Sequence, residues 1–440
     1  MTQLKRTVGV GGAVLLGLGS IVGTGIFVSI GLAAEVAGPS VLLAVLIAAG
    51  VATANGLNSA QLAASHPVSG GTYEYGYRYL NAPLGFTAGW MFLVAKSASA
   101  ATAALGFAGY LMNGLGLQGH RLRVTIGLGA VALLTTLVLS GLRRSNWLNA
   151  VLVLLGCGAL LAFIVVGAGR ASTANFRPFF EGGAPGLLEA AALAFVAYTG
   201  YGRIATMGEE ISEPAKNIPR AMILTLVASA LLYAGVAAVL VGLGGGIVAG
   251  APLVSAVSFS APVKWIVAQG AMVAMLGVLL NLVLGLSRVW LAMGRRGDMP
   301  RVLARVNASG TTPVPAVILT GLVIAGLVLI GDVKKTWSFS AFTVLVYYAI
   351  TNASALRLPP GQRRFPRWVA VVGLLSCLFL AFWVEWQIWA IGLGVIAFGL
   401  LWHAVARARI RRAPGEQQIT NNQLPISNDT AEEPRGRIGN

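Results

Sequence analysis

The feature that most limits this chain is a succession of apolar runs, each long enough to cross a bilayer and separated from the next by a short polar stretch. Six lie near residues 8–36, 39–64, 83–112, 122–142, 146–169 and 187–210, and six more near 219–246, 262–294, 314–331, 336–356, 368–384 and 386–406. Their lengths suit spans with some tilt. In hydrocarbon every backbone N–H and C=O must be satisfied within its own segment, so runs of this kind fold as helices. The expected fold is an all-α polytopic membrane protein of about 12 transmembrane helices, the last two least clearly separated, around Glu385. With 56% of 440 residues hydrophobic and 10% charged, there is no room for a large soluble catalytic domain.

A formal charge of +17 would suggest nucleic acid in a soluble protein, but here its distribution among loops absorbs it. With the N-terminus inside, the cytoplasmic segments hold Lys5, Arg6, Arg78, Arg143, Arg144, Lys216, Arg220, Arg288, Arg295, Arg296, Arg301, Arg305, Arg357, Arg363, Arg364, Arg367 and the tail arginines. The external segments hold only Arg121, Arg123, Arg170, Arg177, Lys264, Lys334 and Lys335. The positive-inside rule therefore sets both termini in the cytoplasm of a multi-pass protein of the cell (inner) membrane, with lipid as its surroundings and no nucleic acid as a partner. The first apolar stretch is longer than a signal-peptide core and lacks a convincing cleavage site, so the first helix is expected to be retained. The tail over 413–440 is polar and almost free of aromatics, and is expected to be a disordered cytoplasmic segment. Its Asn428-Asp429-Thr430 sequon reads as chance.

Cys157 and Cys377 both fall inside apolar runs, where they read as reduced packing residues rather than a disulfide or a CxxC site. His66, His120 and His403 are scattered, so neither a metal site nor a cofactor is expected. No Ser-His-Asp or Cys-His arrangement can be assembled, which argues against an enzyme.

Two interruptions at mid-membrane depth carry the chemistry. The first run contains Gly17-Leu18-Gly19-Ser20-Ile21-Val22-Gly23-Thr24-Gly25-Ile26-Phe27. Its glycines superficially resemble a phosphate loop, but no strand precedes them in a soluble βαβ unit. Two readings remain: a small-xxx-small packing face through Gly19 and Gly23, or an unwound break at 22–25. The sixth run carries Phe195-Val196-Ala197-Tyr198-Thr199-Gly200-Tyr201-Gly202, a second interruption at the matching place, and favours the break. Runs one to five fill residues 1–169 and runs six to ten fill 187–356, leaving two further helices at 368–406. An odd number of spans per half makes the second half inverted, giving a 5+5 inverted repeat with two discontinuous helices. Broken helices offer free N–H groups at one end and free carbonyls at the other, a match for a zwitterion. A carboxylate would take the amides of Gly23, Thr24 and Gly25 and the Thr24 hydroxyl, while an ammonium would face the carbonyls of Ile21, Phe195, Val196 and Thr199, next to Gly200.

The segment Gly19-Ser20-Ile21-Val22-Gly23-Thr24-Gly25-Ile26-Phe27 resembles the first-helix motif of the amino acid-polyamine-organocation superfamily. Pro67-Val68-Ser69-Gly70-Gly71-Thr72-Tyr73 and Gly85-Phe86-Thr87-Ala88-Gly89-Trp90 are similar to the family's segment before span three and to its start. Phe195 to Gly200 with Gly208-Glu209-Glu210-Ile211, Glu213-Pro214 and Asn217-Ile218-Pro219-Arg220 resembles its sixth helix and following loop. Ser287-Arg288, Gly294-Arg295-Arg296-Gly297-Asp298-Met299-Pro300 and Thr312-Pro313-Val314-Pro315 resemble the end of span eight and its loop. The resemblance implies transport of amino acids or related amines by alternating access. It departs at one point: several proton-coupled relatives carry a lysine in span five near the first break, where Gly156 aligns here.

Lys96 lies deep in the third run, where an ammonium is expensive to keep charged. Either it stands near the core as proton carrier or local cation in place of the missing lysine, or it snorkels to backbone carbonyls. Arg203, just past the second break, could steer a carboxylate, but an ion pair with Glu209 or Glu210 is the favoured reading. Two buried cations without an intramembrane acid argue against a cationic substrate. Asn55, Asn58 and Gln61 form a polar stripe that reads as interhelical hydrogen bonding. Asn281 and Ser287 either line a pathway or bond across helices, and Tyr198 and Tyr201 either gate a substrate or pack. The expected function is secondary transport of a neutral, small or apolar amino acid, coupled to protons or running as an exchanger. A membrane sensor on the same fold is the alternative. No covalent partner subunit is expected, since no cysteine lies outside the membrane.

Overall fold

The computed structural model describes residues 8–67, 70–141, 146–206, 211–244, 251–307 and 311–412. The tail read as disordered, Glu209, Glu210 and several of the counted basic residues lie outside them. The first apolar run is split as anticipated: α1 (Val10–Ile21) stops at Val22, whose backbone is extended (φ −75°, ψ 102°), and a π-helical turn over Gly25–Ser29 leads into α2 (Ile30–Ala37). Gly38 (φ 59°) turns the chain into α3 (Val41–Ser65). A short helix α4 (Thr72–Tyr79) then precedes α5 (Ala82–Gly114), whose N-terminus is capped by the Asn81 side chain accepting from the Leu84 N–H at 2.9 Å. Helices α6 (His120–Leu139) and α7 (Asn146–Ala168) follow.

The sixth run is the second broken one: α8 (Gly183–Tyr198), a tight turn over Thr199–Tyr201, and α9 (Gly202–Thr206). After it come α10 (Pro214–Leu243), α11 (Pro252–Ala256), α12 (Ala261–Arg296) and, past a short turn at Arg301–Ala304, α13 (Val314–Val328). The chain closes with α14 (Val333–Leu356), α15 (Arg367–Ala381) and α16 (Trp386–Arg412). Among the described residues, each apolar run read from the sequence falls mainly on helix. Among the described residues eight helical stretches are long and apolar enough to cross a membrane, and Val10–Ile21, Val314–Val328 and Arg367–Ala381 are shorter apolar helices. Extended pairing among them is confined to one parallel bridge between Val8 and Ile211.

The core is built around α5, which packs along α12 and α14. Its middle is almost entirely small residues, Ala95 through Ala104, and these let the helices approach closely. Hydroxyls fix the register across that contact: Ser99 and Ser340 share a bond of 2.7 Å, and Thr102 Oγ1 donates to Thr336 Oγ1 at 2.8 Å. On the other side α3 packs on α8 and α10. The stripe of Asn55, Asn58 and Gln61 is an interhelical ladder, as read. Asn58 donates to Asn352 of α14 (2.7 Å), Asn352 donates to Asn55, Gln61 donates to Asn58 (2.9 Å), and Asn55 donates to the Cys377 thiol of α15 (3.2 Å). Cys157 and Cys377 are both free.

Each end of the bundle has its own ionic fastening. At one end Lys334 of α14 bridges Glu189 of α8 and Glu385 before α16, 3.2 Å from each. At the other end, where Arg295, Arg296, Arg301 and Arg305 gather, the buried Asp298 accepts from Tyr73 (2.6 Å) and Tyr77 (2.7 Å) of α4.

Candidate functional site

The two broken helices cross at their breaks, and glycine permits it. A Cβ on Gly200 would lie 2.5 Å from the carbonyl carbon and oxygen of Ser20, and one on Gly25 would lie 2.7 Å from the Ala197 side chain. Neither position has space for any other residue. Breaking a helix also frees polar groups that lipid cannot satisfy. Several are taken up by aromatic side chains of neighbouring helices. Tyr233 of α10 donates to the carbonyls of both Ile21 (3.0 Å) and Ala197 (3.1 Å), so one hydroxyl ties the two breaks together. Tyr348 of α14 donates to the Thr199 carbonyl (3.3 Å) and Tyr110 to that of Phe27 (2.7 Å). Inside α8, Ser29 of the first broken span and Trp337 both donate to the Leu193 carbonyl (3.0 Å each) and brace the two spans against α14.

Against the crossing lies a chamber of about 40 Å³, walled by Ser20, Ile21, Thr24, Gly25, Val196 and Thr199 from the broken helices and by Lys96, Ser99, Val278 and Trp337 from their neighbours. It shares Ser20, Lys96, Thr199 and Val278 with a larger vestibule of about 290 Å³, which runs past Asn281, Arg203 and Arg288 to Tyr73 at the basic end. Among the described residues no Asp or Glu lines either space.

The half-buried Lys96 reaches the chamber: its Nζ donates to Thr199 Oγ1 at 2.8 Å, and that hydroxyl donates onward to the Val196 carbonyl at 2.7 Å. Thr24 sits on the same wall system, 3% exposed, and its Oγ1 has no hydrogen-bond partner among the described residues. A buried hydroxyl left in this way is a free donor or acceptor facing whatever enters.

The structure brings Ile21, Thr24, Gly25, Val196, Thr199 and Lys96 together on one chamber and puts Gly200, Arg203 and Asn281 on the vestibule. It turns Phe195 and Tyr198 elsewhere. Phe195 sets its ring edge-on to Tyr348 (5.7 Å), and Tyr198 packs against Tyr233 (4.8 Å) with its hydroxyl toward the Val45 carbonyl. Gly23 borders α12, where a Cβ would strike Val278. Ser287 bonds its own helix at the Leu284 carbonyl (3.0 Å). The acids expected to pair with Arg203 fall outside the described residues. Gly156, aligned with the span-five lysine of relatives, does face the first break: a Cβ there would lie 3.1 Å from Val22.

Sequence reasoning missed Tyr233, Tyr348, Ser99 and Trp337. Each is a polar or aromatic residue on a helix other than the two broken ones, and only the tertiary crossing gives it a role.

The amino acid permease family profile matches residues 12–414. An uncharacterized transporter of Mycobacterium tuberculosis is 41% identical, covering 93% of each chain. The branched-chain amino acid permease BcaP of Bacillus subtilis is 30% identical over 87% of this chain and 89% of its own. The methylthioribose transporter of the same organism is also 30% identical, over 90% and 94%.

Proposed function

Because the chain belongs to the amino acid permease family, we propose that it is a secondary transporter carrying a neutral, small or apolar amino acid by alternating access. The fold proposed for this is a 5+5 inverted repeat over residues 1–169 and 187–356 plus two helices at 368–406, in the cell membrane with the basic end in the cytoplasm. The vestibule at that end then makes this an inward-open form.

The observation that carries the reading is the unpaired Thr24 hydroxyl sharing a chamber with the Lys96–Thr199 bond at the crossing of two broken helices. The substrate carboxylate takes the helix-start amides of Gly23, Thr24 and Gly25 together with Thr24 Oγ1. Its ammonium faces the carbonyls of Ile21, Phe195, Val196 and Thr199, on backbone that Tyr233 and Tyr348 bond at the two breaks. A cationic side chain meets Lys96, Arg203 and Arg288 with no acid among the described lining residues, and is disfavoured. The permease BcaP, named for branched-chain amino acids, supports an apolar cargo.

Lys96 is proposed as the coupling group. Held by Thr199 on the moving sixth span, its amine trades its proton as the chamber passes from one side of the membrane to the other. The test is uptake of labelled alanine, leucine, glutamate and lysine into proteoliposomes, with and without an inward proton gradient. Alanine or leucine should accumulate under the gradient, and Lys96→Met should remove the gradient dependence. Binding without uptake under every gradient and with every preloaded counter-substrate would replace the transporter with a sensor. Unchanged uptake and pH dependence in Lys96→Met would remove Lys96 from the mechanism.

A further inference from the structure

Near the basic end, α13 and α16 both pack on α5 and leave between them a groove of about 350 Å³ that is separate from the chamber and vestibule. Its walls are wholly apolar or aromatic, with Phe86 and Trp90 on α5, Trp290 on α12, Leu303 in the turn after it, and Phe398 and Trp402 on α16. The groove opens outward: Phe398 is 60% exposed and Val302, at its edge, 46%. Two of the three indoles are spent on backbone, Trp90 Nε1 donating to Val395 (2.9 Å) and Trp402 Nε1 to the Asp298 carbonyl (3.0 Å). Trp290 is 6% exposed, and its Nε1–H finds no oxygen or nitrogen partner among the described residues. Two exposed arginines flank Leu303, Arg301 at the start of the short turn and Arg305 just after its end, and neither forms an ion pair among the described residues.

We propose that this groove is a binding site for one anionic phospholipid, with an acyl chain lying along the aromatic walls and the phosphate held by Arg301 and Arg305. An apolar cleft facing a bilayer takes hydrocarbon rather than water, because its walls offer water almost nothing to bond. The arginines decide which lipid. A cationic pair at the rim attracts a phosphodiester with net negative charge and gives a zwitterionic headgroup no net advantage. The same charge weighs against a second copy as the occupant, since it would bring an equally basic end toward this one.

The full chain would be equilibrated in bilayers of equal phosphatidylglycerol and phosphatidylcholine with identical dioleoyl tails, extracted in mild detergent, and its retained lipids counted by native mass spectrometry. One phosphatidylglycerol per chain is expected to stay on preferentially. Arg301→Gln with Arg305→Gln is expected to lower that preference by roughly 30-fold, from the contribution of two basic residues at a membrane surface. Val302→Glu, an exposed change that sets a like charge at the groove's edge, should lower it too. Equal retention of both lipids by the wild type overturns the proposal, as does an undiminished preference in both variants. A lipid-free dimer of the wild type overturns it in favour of a second copy.

Discussion

Replacing Asp298 measures how strongly the basic end is fastened. The carboxylate is 3% exposed and accepts from the phenols of Tyr73 at 2.6 Å and Tyr77 at 2.9 and 2.7 Å, while His403 Nδ1 lies 3.4 Å away. Arg296 lies over both phenol rings, 5.1 Å from that of Tyr73 and 4.2 Å from that of Tyr77, and pairs with Glu74. Burial, and then the Asp298 charge, push both phenols well above the ordinary tyrosine range. They therefore stay protonated and keep donating at any physiological pH, and the contact does not loosen as pH rises through neutrality. A hydrogen bond to a charged acceptor is worth about 1.5–3 kcal/mol and one to a neutral acceptor about 1, so Asp298→Asn forfeits roughly 2 kcal/mol over the two phenols. Asp298→Ala removes the acceptor altogether. Tyr73 is then buried and unsatisfied at a cost of about 1–3 kcal/mol more, while the half-buried Tyr77 can turn to water. Reversible unfolding of the purified protein, followed by tryptophan fluorescence in a denaturant titration, should rank wild type above Asp298→Asn above Asp298→Ala. Variants that unfold together with the wild type would refute the fastening. An Asn variant as weak as the Ala variant would refute the part assigned to charge.

Asn352→Leu should cost about 1–3 kcal/mol in the same titration, because it strips the bonds that Asn55 and Asn58 make to α14 inside the membrane. Gly200→Ala forces a Cβ to 2.5 Å from the Ser20 backbone, an overpacking of about 1–3 kcal/mol at the crossing of the breaks. It should cut proteoliposome uptake sharply, whereas Gly158→Ala, with nothing within 4 Å of the added carbon, should leave uptake and folding unchanged.

The parts of this molecule that were legible in the sequence are those where a residue type is out of place in hydrocarbon. Twelve apolar runs announced helices, glycines beside threonine marked both breaks, and a lone lysine in the third run pointed to the chamber. What remained hidden depends on how helices are rolled against one another. Val196 and Thr199, three residues apart at the end of α8, share the face that lines the chamber. Phe195 and Tyr198, also three apart, share a different face and pack on Tyr348 and Tyr233. Adjacent residues on a helix diverge by about 100°, so a motif can be found in sequence while half of its side chains point away from the site. Asp298 was hidden for a related reason. Its loop motif was visible, but the donors that bury it come from α4, more than 200 residues earlier.

The position of Lys96 ties these strands together. The resemblance led to Gly156 as the place where relatives carry a lysine, and Gly156 does stand against Val22 at the first break. The cation of this chain comes instead from α5 and bonds Thr199, at the second break. The two sites are not equivalent in mechanical terms. A lysine at 156 would report on the first span from a neighbour that packs along α1, α10 and α12. Lys96 projects from the helix that packs along α12 and α14, at the centre of the core, and among the described residues its hydrogen bond is to the tight turn that joins α8 to α9. In the proposed transport cycle, a bond between a central helix and the turn of a broken one has to be stretched or remade whenever that turn moves, which would link the state of the Lys96 amine to the conformation of the sixth span through Thr199. Under the proposed coupling, moving the cation from one break to the other would change which broken helix a proton acts on, while leaving it on the same chamber.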